Sequence, residues 1–120
     1  VNGSDGLDEI TISGPTNIAE LKDGEVSEYI VTPQDFGLKA TPLDSIRVAT
    51  VEEAKAMLLS VLDNQPGAAR DIVQLNAGAA IYTAGLSATL AEGVRKAAEV
   101  IASGAAKHKL AQLIAISHEA

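Results

Sequence analysis

The apolar residues change period once along this chain, close to residue 50, and that change constrains the fold more than any other feature. Before it, residues 10–32 read as strands: Ile10 and Ile12 alternate with Thr11 and Ser13, and Gly14-Pro15 makes a break. A hairpin follows. Asp23-Gly24 is a two-residue turn signal because both positions need positive φ, which Asp tolerates and Gly adopts freely. That turn sets the register, with Lys22 opposite Glu25, Leu21 opposite Val26 and Ile18 opposite Tyr29. Thr32-Pro33-Gln34-Asp35-Phe36-Gly37 reads as one short helical turn capped by Thr32 and stopped by Gly37, and residues 38–49 read as a loop.

After residue 50 the period is helical. Thr50-Val51-Glu52-Glu53 is a capping box, and Val51, Ala54, Met57, Leu58, Val61 and Leu62 fall on one face of the helix it opens. Pro66-Gly67 separates this helix from a second, from about Ala68 to Ala84 with a stop at Gly85. A second box, Thr89-Leu90-Ala91-Glu92, opens a third helix ending at Gly104, and Leu110, Leu113 and Ile114 mark a fourth. Alanine is concentrated here, with 18 of the chain's 21 in residues 51–120. Small side chains let backbones approach closely, so Ala77-Gly78-Ala79-Ala80 reads as a packing surface although Gly78 costs roughly 1 kcal/mol of helix propensity. The expected fold class is α/β, a strand-hairpin region followed by about four helices. A length of 120 residues sets one compact domain with one core.

Composition removes several classes of function. With 9 basic and 16 acidic residues the net charge is −7, a poor surface for gathering phosphates, so a nucleic-acid partner is disfavoured. The absence of cysteine excludes disulfides, thiolate zinc sites and cysteine nucleophiles. No stretch reaches about 18 apolar residues, so no membrane partner is expected and the protein reads as soluble and cytoplasmic. The opening Val1-Asn2-Gly3, without an initiator Met, reads as the end of a buried strand running into a loop, and hence as the start of a C-terminal part of a longer chain.

One cluster combines a strand end, glycines and acids: Val1-Asn2-Gly3-Ser4-Asp5-Gly6-Leu7-Asp8-Glu9. Adjacent Asp8 and Glu9 in a bent loop can both reach a hard cation, and magnesium suits them because it is usually held by one or two carboxylates while keeping waters and phosphate oxygens. A solvated acidic turn is the plain alternative, and composition by itself favours it. His108 and His118, ten apart, lack the spacing of helical metal ligands. No serine sits in a nucleophile elbow, and no Walker loop or dinucleotide fingerprint is present. Asp71 reads as a helix-dipole acid and Asn76 as a structural amide among apolar neighbours. No catalytic residue is assigned.

The same loop, followed in order by Ser13-Gly14-Pro15-Thr16, Ala19-Glu20-Leu21-Lys22-Asp23-Gly24, Thr32-Pro33-Gln34-Asp35-Phe36-Gly37 and Ala69-Arg70-Asp71-Ile72-Val73-Gln74-Leu75-Asn76-Ala77, closely resembles the C-terminal part of the anthranilate phosphoribosyltransferases. Ala91-Glu92-Gly93-Val94 and Ile101-Ala102-Ser103-Gly104-Ala105-Ala106 continue the pattern, so the likeness covers essentially all of residues 1–120. It implies a segment of the C-terminal α/β domain of a glycosyltransferase-family-3-like phosphoribosyltransferase. The implied reaction is transfer of phosphoribosyl from phosphoribosyl pyrophosphate to anthranilate in tryptophan biosynthesis. Mg2+ is the implied cofactor, with Asp8 and Glu9 as its ligands.

The resemblance also places the glycine-rich phosphate loop, the anthranilate contacts and the helical domain that forms a homodimer upstream of Val1. Two departures stand out: Asn2 occupies a position where His is common, and Arg47-Val48-Ala49-Thr50 stands where the family commonly has paired glycines. The alternative is a non-catalytic or nucleoside-phosphorylase-like scaffold whose acidic loop only shapes a turn.

Overall fold

The computed structural model describes residues 1–119. It divides into two compact units, one ending at Arg47 and the other beginning at Val48, where length alone set a single core. The boundary falls close to the change of apolar period, so among the described residues the strands all lie in the first unit and the α-helices all in the second.

The first unit is built on an antiparallel sheet of β1 (Asn2–Gly3), β2 (Thr16–Lys22) and β3 (Glu25–Val31), in that order. Asp23 and Gly24 both take positive φ, 52° and 80°, and the β2–β3 register is the expected one, including Lys22 opposite Glu25 and Ile18 opposite Tyr29. Thr16, Ile18 and Val31 are buried, whereas Asn17, Ala19, Leu21, Val26, Glu28 and Ile30 are exposed on the other face. A 3-10 turn over Pro33–Phe36 is fixed by the Asp35 carboxylate, which accepts from the Thr32 backbone N–H at 2.7 Å, and by Gly37 at φ 72°. The 38–49 loop holds a second such turn, Leu43–Ile46.

Two expectations need correction in this unit. Residues 10–13 are not a strand: Ile10, Thr11 and Ile12 are all buried in succession, at 2%, 0% and 0% exposure, which a strand with one solvated face cannot do. Side chains replace the ladder, since the Thr11 N–H donates to Thr16 Oγ1 at 3.0 Å and the Ser13 N–H to Thr11 Oγ1 at 3.1 Å. Val1 and Asn2 are exposed rather than the end of a buried strand, and β1 is a two-residue piece paired through Asn2 with Asn17 and Gly3 with Thr16.

The second unit holds the four expected helices, α1 (Val51–Leu62), α2 (Ala68–Thr83), α3 (Leu90–Ala102) and α4 (Ala105–Glu119). Thr50 and Thr89 cap α1 and α3, each hydroxyl accepting at 3.1 Å from the N–H three residues on. The reciprocal carboxylates reach one residue further back than a standard box: Glu53 accepts from the Ala49 N–H at 2.7 Å and Glu92 from the Ala88 N–H at 3.0 Å.

Helices α2 and α3 form the core of this unit around Leu75, Val94, Ala97 and Ile101. The expected packing role of Gly78 is borne out, because a Cβ there would lie 2.5 Å from Val94 Cα. The expected apolar face of α1 is largely exposed: Val51 and Leu58 are 79% and 51% exposed and only Val61 is buried. On α4, Leu113, Ile114 and Ile116 are exposed. No helix among the described residues is long and apolar enough to cross a membrane.

Candidate functional site

The acidic cluster lies on the loop joining β1 to β2. Gly3 opens it with a tight reversal, its N–H donating to the Leu7 carbonyl at 2.8 Å while the Gly6 N–H returns to the Gly3 carbonyl at 2.9 Å. Gly6 takes φ 90°, a conformation that L residues with a side chain rarely adopt. Ser4 then donates its N–H to the Pro15 carbonyl at 2.9 Å, which closes the far end of the loop beside the sheet.

Asp5 occupies the middle of this arrangement. Its Oδ2 accepts from the Thr11 and Ser13 hydroxyls, both at 2.5 Å, and its Oδ1 accepts from the Leu7 N–H at 3.0 Å. These bonds favour the ionised form. The Ser13 hydroxyl, then the Thr11 hydroxyl, holds the Asp5 carboxyl below the ordinary carboxylate range, with slight burial opposing them.

Asp8 and Glu9 sit on the bend between Leu7 and the buried Ile10, and both are exposed. The structure therefore presents these two expected ligands side by side on one short arc. Among the described residues no three acids or histidines converge into a metal cage, so Asp5 does not complete a three-carboxylate site with them. Two exposed, adjacent carboxylates nevertheless fit magnesium, a hard cation that keeps much of its water when bound. Asn2 is exposed on β1 and pairs through its backbone with Asn17.

The remaining candidates stay apart from this loop or take structural roles. His108 and His118 are exposed on α4, separated by about 15 Å along its axis at 1.5 Å per residue. Asn76 donates its amide to the Ile72 carbonyl at 3.0 Å, one turn back. Asp71 lies in the first turn of α2, 3.6 Å from the Arg70 guanidinium. An open hollow of about 590 Å3 runs along the sheet beside Asn2, Asn17 and Ile30, and neither Asp8 nor Glu9 lines it. Asp5 is the functional candidate that sequence reasoning passes over. Its signal is the pair of hydroxyl residues six and eight positions on, which become partners only once the loop closes.

The family model described as "Glycosyl transferase family, a/b domain" matches residues 1–107. The chain belongs to this glycosyl transferase family. It is 62% identical over 119 residues to an anthranilate phosphoribosyltransferase from Nitrosomonas eutropha, covering 99% of this chain and 35% of that protein. It is 59% identical over 120 residues to one from Thiobacillus denitrificans, covering 100% of this chain and 35% of the relative. The chain thus spans about a third of the length of the curated relatives it matches. Among solved structures, the anthranilate phosphoribosyltransferase from Thermus thermophilus superimposes with a TM-score of 0.83 at 36% identity, over 93% of this chain and 33% of that one. These likenesses bear out the resemblance read from the loop, hairpin and helix motifs, and with it the α/β class of this glycosyl transferase domain.

Proposed function

We propose that this chain is the magnesium-holding part of an anthranilate phosphoribosyltransferase, acting in tryptophan biosynthesis on phosphoribosyl pyrophosphate and anthranilate. The observation that carries the reading is the exposed Asp8–Glu9 pair on a closed loop, in a chain 62% identical to a relative of that name. When bound, magnesium would neutralise negative charge that develops on the departing pyrophosphate.

The chain's own residues supply the rest of this role. Asp8 and Glu9 would hold the cation through one or two carboxylate oxygens, leaving its other positions to water and phosphate. The backbone bonds of Gly3 and Gly6 fix the arc that carries them. Because the chain carries a net charge of −7, a polyphosphate substrate meets a repulsive surface unless a cation intervenes. Binding of metal and diphosphate should therefore be mutually dependent, since two exposed carboxylates compete poorly with water for magnesium.

The test is Asp8→Asn with Glu9→Gln in the full-length transferase. Loss of magnesium-dependent turnover is expected, and wild-type kinetics with wild-type metal dependence would reject the assignment.

A further inference from the structure

We propose that Asp5 is the positioning residue of the Asp8–Glu9 arc, its carboxylate clasping together the two backbone stretches that flank the pair. The inference rests on the reading of Asp8 and Glu9 as magnesium ligands and adds how they are held in place.

Its two oxygens divide their partners between the two sides of the arc. Oδ1 accepts from the Leu7 N–H, immediately before Asp8, and Oδ2 accepts from the hydroxyls of Thr11 and Ser13, after Glu9. The span from residue 7 to residue 11 could reach about 13 Å if extended, yet one carboxylate bonds to both of its ends. Ile10, at 2% exposure, adds a buried anchor within the same span. Asp8 and Glu9 are left as its exposed pair.

The chemistry requires an acid at this position. Three donors converge on two oxygens, and an amide would replace one of those acceptors with an NH2 donor. Hydrogen bonds to an ionised carboxylate are also roughly twice as strong as neutral ones. Room for the clasp comes from Gly3, where a Cβ would lie 2.6 Å from Asp5 Oδ1 and 3.1 Å from Thr11 Cβ. With its oxygens engaged by Leu7, Thr11 and Ser13, Asp5 acts as a tether, which separates it from the two acids beside it.

The test uses the full-length transferase carrying Asp5→Asn. One measurement is calorimetric binding of phosphoribosyl pyrophosphate across a magnesium titration, without anthranilate; a second is amide hydrogen exchange over residues 3–13. We expect magnesium-dependent binding at least tenfold weaker, faster exchange at the Leu7 amide, and an anthranilate KM within twofold of wild type. Thr11→Val combined with Ser13→Ala keeps the acid and removes two donors; it should shift both measurements the same way by a smaller factor, and it decides the matter if Asp5→Asn does not fold. Faster exchange with magnesium-dependent binding within twofold of wild type overturns the positioning role while leaving Asp8 and Glu9 as ligands. Wild-type binding in Asp8→Asn/Glu9→Gln instead removes the ligand reading itself.

Discussion

Gly78 is the position where helix propensity and packing predict opposite signs. On propensity alone, Gly78→Ala should stabilise α2 by up to about 1 kcal/mol, because Ala loses less backbone entropy on folding. The structure opposes this with a specific obstruction: a Cβ at residue 78 would lie 2.5 Å from Val94 Cα, 2.6 Å from Val94 N and 2.7 Å from Val94 Cγ2. Ordinary carbon contacts lie at about 3.5–4.0 Å, so the added methyl is short by about 1 Å against backbone that cannot rotate away. Val94 is itself 2% exposed, and it sits in the buried seam of α2 and α3. Overpacking of this kind costs about 1–3 kcal/mol, enough to offset the propensity gain.

We therefore expect Gly78→Ala to be destabilising on balance and Gly78→Leu to lose more than about 1 kcal/mol. In urea, where small proteins have m-values of about 1–3 kcal/mol/M, the leucine variant's midpoint should fall by at least about 0.3 M. A midpoint at or above wild type, with unchanged slope, would refute the packing argument. Gly93 offers an internal check, since its added Cβ would run into the Gly78 carbonyl and lie 3.0 Å from Ser87 Oγ. Once one substitution has forced the helices apart, the other should cost less, so Gly78→Ala and Gly93→Ala should be less than additive.

Thr89→Ala removes the hydroxyl that accepts from the Glu92 N–H and should cost about 1 kcal/mol in thermal unfolding, with Thr89→Ser recovering most of it. The Asp5 carboxyl is held below its ordinary range by Ser13 and Thr11, so its stabilising contribution is present above the unfolded value of about 3.9 and is lost as pH falls through the lower folded value. Wild type should therefore lose Leu7 amide protection on acidification below about pH 4, and an Asp5→Asn variant should show no such step in exchange corrected for intrinsic rate. Purified as residues 1–120 alone, the chain should form no phosphoribosylanthranilate, because it contains no glycine-rich phosphate cradle and joining two bound reactants supplies much of the acceleration; retained anthranilate fluorescence is the expected readout.

Legibility follows the range of the forces involved. The hairpin register and the helix ends are readable because Asp23-Gly24, Thr50, Thr89 and Gly104 act on backbone within a few residues of themselves. Gly78 is readable because a glycine inside an alanine-rich helix needs a reason, and close approach of Val94 is that reason. Residues 10–13 mislead, since alternation of Ile with Thr and Ser is the pattern of a half-buried strand, whereas Thr11 is buried by bonds to Thr16 and Asp5 that no local pattern encodes. The apolar stripe of α1 is located correctly by its spacing and its burial is not, because periodicity identifies which side of a helix is apolar and carries nothing about what lies against it.

The seven residues Gly3-Ser4-Asp5-Gly6-Leu7-Asp8-Glu9 carry that distinction into the site itself. Three acids of nearly identical chemistry stand within five positions, and by composition each is an equal candidate for a cation. The geometry sorts them by what their oxygens already accept: Asp5 takes one N–H and two hydroxyls, while Asp8 and Glu9 stand exposed on the bend. A carboxylate with its lone pairs committed to three donors would have to give up bonds to take a metal, and breaking them would release the loop. On the proposed reading of Asp8 and Glu9 as ligands, the division of labour is set by Thr11 and Ser13, two residues without any charge, and removing those hydroxyls would leave the Asp5 oxygens open to other partners.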